Sequence, residues 1–205
     1  MTHPTDAVLF AATPLIPVPR FGTLAPLDRG AKRFLAGADG LYVQSSTEAM
    51  EVTMKLAPVK LPFGECCERI VLPNGPIPMA LIKDFIRASR QSYPNEIAAA
   101  IVLGDAGHYE LVWPEVQSAS GGHVRYVDSV VNDDRLVVDL HSHGEHDAFF
   151  SRTDDESDCS RRGPYMAFVV GRLRSERPQV AVRLALAPYL AMDSIDRMIS
   201  EGLIA

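Results

Sequence analysis

A short apolar run, Leu136-Val137-Val138 and Leu140, ends in His141-Ser142-His143, and Ser151 and Asp154 follow at a fixed distance. No other stretch constrains the chain as tightly. Residues two apart on a strand project from the same face, so His141 and His143 reach one metal ion while Ser142 turns away. Asp154 arrives from the first turn of the next element. Two imidazoles and one carboxylate leave a fourth tetrahedral position open, which is the ligand set of a catalytic zinc ion and not of a closed structural one. Ser151-Arg152-Thr153-Asp154 also has the form of a capping box, in which Ser151 caps a helix and Asp154 reaches back to it. Asp154, Asp155, Glu156 and Asp158 then sit where the positive end of that helix favours acids. The cap accounts for the serine and the acids but not for the His-x-His beside them, and the two roles are compatible.

The 205 residues suit one large domain, or one domain with an extension. Hydrophobic residues at 47% supply enough apolar material for a core. A net charge of −6 argues against a nucleic-acid surface, which is normally basic. No run of 18 apolar residues is present, so no membrane span is expected. The apolar start from Ala7 resembles a signal peptide, but no Lys or Arg precedes it and prolines interrupt it. It reads as extended strand or loop. Three cysteines make no disulfide framework, which fits a reducing, cytoplasmic setting. The adjacent Cys66 and Cys67 have no ligand partner at metal spacing and read as buried or partly buried thiols.

Eight of the fifteen prolines fall in the first 75 residues, where strand-like runs appear at 41–44 and 50–56. The second alternates Met50, Val52, Met54 and Leu56 with outward Glu51, Thr53 and Lys55. Residues 1–75 therefore read as a β-rich extension. Residues 78–91 read as a helix with Leu81, Ile82, Phe85 and Ile86 on its apolar face. Strands are expected over 97–103, 109–113, 124–127, 135–141, 166–172 and 180–186. A last helix over 193–201 carries Met192, Ile195, Met198 and Ile199 on one stripe and ends at Gly202. The expected divisions are 1–75, 76–190 and a C-terminal helical tail, 191–205.

His141-Ser142-His143, seven residues, Ser151, two residues and Asp154 together resemble the JAMM signature of the MPN-domain (JAB/Mov34) zinc metalloproteases. The family also places a glutamate at the start of the first core strand, and Tyr93-Pro94-Asn95-Glu96 before the run 97–103 is similar. The resemblance covers residues 76–190. It implies an α/β fold, a curved mixed β-sheet flanked by helices, with the β-rich extension in front. The small pair that often follows the glutamate is replaced here by Ala98, Ala99 and Ala100. The front half, through Gly40-Leu41-Tyr42-Val43, residues 68–75 and residues 77–82, is similar to the protein A component of PRTRC systems. Those bacterial gene clusters also encode a ThiF-like activating enzyme.

The resemblance implies a Zn2+ ion held by His141, His143 and Asp154. Glu96 would take a proton from water and pass it to the leaving amine; Glu110 and Glu115 are the nearest competitors. Ser151 would help hold the oxyanion, and Asp139 or a backbone carbonyl would orient one imidazole. The implied reaction is hydrolysis of an amide or isopeptide bond at the C-terminus of a ubiquitin-like or sulfur-carrier protein, the tail pairing along an exposed edge near the metal strand. Alternatives are a general small-peptide metallopeptidase, a non-catalytic MPN scaffold, an iron oxygenase built on two His and one carboxylate, and a three-histidine site using His146. His108 and His123 read as solvated. Cys159 reads as core, and Phe149 and Phe150 as packing.

Overall fold

In the computed structural model, residues 3–114, 116–120, 123–126 and 132–205 are described. Two compact units divide at Val71 and Leu72.

The first unit opens with a helix, α1 (Pro4–Ala12), where an extended segment was expected. The interrupting prolines begin only at Pro14, beyond the helix. Pro4 starts it, where a missing N–H costs nothing, and His3 Nδ1 accepts from Thr5 N at 3.3 Å. Five strands follow in sequence order: β1 (Leu15–Pro17), β2 (Lys32–Ala36), β3 (Gly40–Ser46), β4 (Glu51–Pro58) and β5 (Arg69–Val71). β1 and β2 are parallel, and the other pairs are antiparallel. Val18, Leu35 and Tyr42 form a buried cluster. Thr53, expected outward, is only 4% exposed. Both faces of this part of β4 are covered, so the period-two reading failed there.

The second unit holds α2 (Met79–Ser92) and a six-stranded mixed sheet. Its strands are β6 (Ala98–Leu103), β7 (Tyr109–Val112), β10 (Leu136–Ser142), β11 (Tyr165–Gly171), β12 (Gln179–Leu186) and β13 (Tyr189–Asp193), in the order β13-β12-β11-β10-β6-β7. A separate hairpin pairs β8 (Val116–Ser120) with β9 (His123–Tyr126). β10 runs parallel to β11 and antiparallel to β6. Leu136, Val137, Val138 and Leu140 are all fully buried, because a strand between two others with both faces covered must be apolar throughout. β10 is thus interior, and no free edge lies along it for an added strand; the edges of this sheet are β7 and β13.

α2 buries Ile82, Phe85 and Ser89, with Leu81 and Ile86 half-buried. β13 was not expected. It takes Met192, assigned above to the last helix, and leaves it exposed. The helix itself, α4 (Ile195–Ser200), buries only Met198. Beyond Gly202, at φ +72°, the chain turns back. Leu203 and Ala205 then exchange backbone hydrogen bonds with Ile77, and Met79 N donates to Ala205 O at 2.7 Å. An α/β fold with mixed sheets and flanking helices is therefore present, as the family resemblance implied.

Candidate metal centre

β10 delivers His141 in its last turn of pleat and His143 just past its end. The loop that follows is tied to β11: His143 N donates to Val170 O at 2.8 Å, and Arg172 N donates to His146 O at 2.8 Å. Gly171 makes this approach feasible, since a Cβ there would lie 2.4 Å from Ala148 N and His146 O. His143 Nδ1 lies 3.1 Å from Asp147 O. A carbonyl only accepts, so Nδ1 carries the proton and Nε2 keeps its lone pair for a ligand. That fulfils the carbonyl half of the orientation expected above. Asp139 instead pairs with Arg161, at 3.6 Å.

Helix α3 (Arg152–Asp158) supplies the carboxylate. Ser151 is its N-cap and the reciprocal capping box is complete: Ser151 Oγ accepts from Asp154 N at 3.3 Å, and Ser151 N donates to Asp154 Oδ2 at 2.6 Å. The cap fixes one carboxylate oxygen and leaves Oδ1 facing His141 Nε2 at 3.6 Å. His141 and His143 approach to 3.2 Å between their Nε2 atoms, and the three ligand atoms all lie within 4.8 Å of one another. Tetrahedral ligands at zinc distances stand about 3.3 Å apart. The donor set therefore fits an ion of that size. Burial pulls the His141 imidazole down to about 4; the Asp154 charge opposes this, and His143 and Arg183 reinforce it. A neutral imidazole is the form that binds a metal.

Glu96 precedes β6, whose Ala98 pairs with His141. By strand alternation it shares the face of His141 and His143. Ser142, on the other face, binds the same corner: its Oγ accepts from Ile97 N at 3.0 Å, and its N donates to Ile97 O. Glu96 is only 5% exposed, and its carboxylate has no hydrogen-bond partner among the described residues. Burial first, then the negative charge of Asp154, pushes it up to about 7. Glu110 is exposed on the half-buried β7, against Gly104 at the far end of β6, so it does not reach this face. Glu115 and the side chain of His123 lie outside the described residues. His146 is exposed and does not join the cluster. Phe149 packs edge-on against the His143 ring, 4.7 Å between centroids, yet stays 51% exposed, forming an apolar wall of the site.

Sequence reasoning missed what holds α3 in place. Asp158 is buried on its inner face, where Tyr165 hydroxyl donates at 2.6 Å and Arg183 Nε donates at 2.7 Å. Arg183 also bridges to Asp155 and stacks over Phe150 at 3.9 Å. Burial raises the Asp158 carboxyl, against the lowering pull of Tyr165 and Arg183. An acid four residues beyond the ligand, taken above as a helix-end preference, is thus the buried anchor. Cys159, read as core, is exposed at the end of α3, and Cys67 is exposed as well. Cys159 caps the end of α3, and Cys67 lies in the connection between β4 and β5.

The family model described as prokaryotic homologs of the JAB domain matches residues 78–185. A second, described as a domain of unknown function (DUF2016), matches residues 3–73. The solution structure of protein DSY2949 from Desulfitobacterium hafniense is similar over 58% of this chain and 88% of its own, with 16% identity and a TM-score of 0.43. None of the curated proteins compared matches the chain. No helix among the described residues is long and apolar enough to cross a membrane.

Proposed function

The chain belongs to the prokaryotic homologs of the JAB domain, and from that premise we propose that it is a zinc-dependent peptidase. Its substrate would be an amide or isopeptide bond at the C-terminus of a ubiquitin-like or sulfur-carrier protein. One observation carries the reading: a buried, unpartnered carboxylate, Glu96, stands on the same face as three converging ligand groups. A structural acid that deep would be paired. Burial raises the Glu96 carboxyl to about 7 without a metal, and a nearby cation would favour the carboxylate form that a general base needs at neutral pH.

His141, His143 and Asp154 would hold the ion. When bound, zinc supplies a Lewis acid that polarises the scissile carbonyl and acidifies water to a pKa of about 7. Glu96 accepts the proton of the attacking water and delivers it to the leaving amine. Ser151 Oγ already accepts from Asp154 N, so its hydroxyl hydrogen remains free to donate to the oxygen of the tetrahedral intermediate. Phe149 shields one side of the site from water. The similarity of the front half to PRTRC protein A supports a ThiF-like neighbour and a carrier ending in a flexible glycine-rich tail.

Fusing such a carrier through its C-terminal glycine to a reporter tests the substrate class. Cleavage is expected at that junction, dependent on zinc. Equal cleavage of unrelated peptides would make the enzyme a general peptidase. Bound zinc with no cleavage of either would make it a scaffold.

A further inference from the structure

The first unit holds a cavity of about 510 Å³ with a buried cation at its floor. Its floor is a polar row across β2, β3, β4 and β5: Arg33, Gln44, Thr53 with Glu51, and Arg69. Its walls are Val18, Leu24, Leu27 and Leu35, with Cys66 and Cys67 at one side. Most of the row is internally satisfied. Gln44 Oε1 accepts from Arg33 Nε at 2.8 Å, Gln44 Nε2 donates to Glu51 at 3.0 Å, and Arg69 pairs with the same Glu51 oxygen at 2.5 Å.

Arg33 differs from its neighbours. It is 4% exposed, yet no carboxylate lies within ion-pair distance of it among the described residues. Nε and one terminal nitrogen are used, the latter donating to Ala25 O at 2.7 Å. The other terminal nitrogen has no partner, and neither does the hydroxyl of Thr53, itself 4% exposed. Both residues line the cavity, and neither atom is sealed from water. Glu51 acts on Arg33 only at a distance, through the intervening Gln44, and a buried guanidinium with no direct ion pair is costly to the fold. Its persistence here is explained when a ligand completes it.

We propose that this cavity binds a ligand carrying one carboxylate on an apolar body. The carboxylate would sit on the open nitrogen of Arg33 with Thr53 as second donor, the body against Leu24, Leu27 and Leu35. The lining sets Arg33 and Arg69 against Glu51 and, exposed at the rim, Glu65, so it has no positive charge to spare for a dianion, and a single carboxylate on the two open donors is the most it accepts. A planar two-oxygen head matches two donor points; a phosphate dianion would need more of each. The volume falls within the usual range for small-ligand sites.

The two wall thiols give a readout independent of hydrolysis. Alkylation of Cys66 and Cys67 in the full chain is followed by mass spectrometry, with exposed Cys159 in the other unit as internal reference. The probes are hexanoate, hexanamide, a glycine-ended hexapeptide as free acid and as amide, and inorganic phosphate. A carboxylate is expected to slow alkylation of Cys66 and Cys67 several-fold without slowing Cys159, while its amide does not. Protection by hexanoate alone assigns a free small acid, and protection by the peptide acid alone assigns a chain terminus. Arg33→Gln should weaken the protecting carboxylate about ten- to hundredfold. The acid–amide comparison needs no variant, so a folding defect in Arg33→Gln leaves it intact. Equal protection by acid and amide, protection by phosphate alone, or none by any carboxylate overturns the proposal.

Discussion

Arg33 in the first unit and Arg183 in the second are buried to the same degree, at 4% and 3% exposed, and their surroundings differ completely. Arg183 meets Asp158 and Asp155, with Tyr165 completing the set. Every charge there is answered within the protein, and the result is a fixed helix α3. Arg33 hydrogen-bonds only to amide and carbonyl oxygens, with Glu51 acting on it at a distance. The metal centre resembles Arg33 in this respect. Glu96 is buried without a partner, and three ligand groups converge on a common point. The closed set around Arg183 holds α3, and the two open sets are the ones proposed above to take a ligand. Opening and closing them by mutation tests that division.

The largest effect is expected from emptying the open set. With His141 and His143 both replaced by Ala, bound zinc should fall from one per chain to less than about a tenth, and hydrolysis should fall to background. Metal analysis by mass spectrometry decides it. One zinc retained per chain would place the ion elsewhere.

Glu96→Gln comes next. Zinc content should persist while kcat drops about a hundred- to ten-thousandfold. In the metal-free protein its carboxyl is raised from 4.5 to about 7. Protonated Glu96 is therefore favoured by folding, and its contribution is complete below about 4.5 and lost as pH rises through 7. Chelated wild type should lose stability relative to chelated Glu96→Gln across that window. Zinc, by favouring the carboxylate, should shrink the difference. A pH-independent gap between the two melting temperatures would contradict the buried environment assigned to Glu96.

Arg183→Met and Arg33→Met compare the closed and open arginines directly. The first strands Asp158 without its cation and should cost about 3–5 kcal/mol in denaturant unfolding. The second strands no ion-paired carboxylate, and relief of the buried cation offsets the loss of its hydrogen bonds to Gln44 and Ala25, so it should cost less, about 1 kcal/mol. Similar losses would erase the distinction.

Ser151 belongs to both sets, with its oxygen occupied in the cap and its hydrogen free. Ser151→Ala should remove about 1 kcal/mol of stability and lower kcat at unchanged zinc content. An unchanged kcat would leave it a cap alone.

The site was readable because its signals are local. His-x-His on a strand, a capping box and a ligand in the first helical turn all act within about fifteen residues. Glu96 required the resemblance, since a glutamate at a strand start has no local mark of burial. The prolines of the first segment mask α1, although all of them but Pro4 lie past its end. β13 escaped because Met192 continues an apparent helical stripe into α4, and only pairing with β12 gives that segment its conformation.

The sequence by itself determined the elements whose periodicity is unbroken, the spacing of the ligands and the cap that orients Asp154. These depend on neighbours a few residues away, where rise per residue and rotamer geometry suffice. Tertiary structure alone decided that β10 is interior, that Asp158 is an anchor bound to Arg183, and that Glu96 and Arg33 are buried without partners. Each depends on groups brought together from distant positions, and the energy of a buried charge is set by what surrounds it.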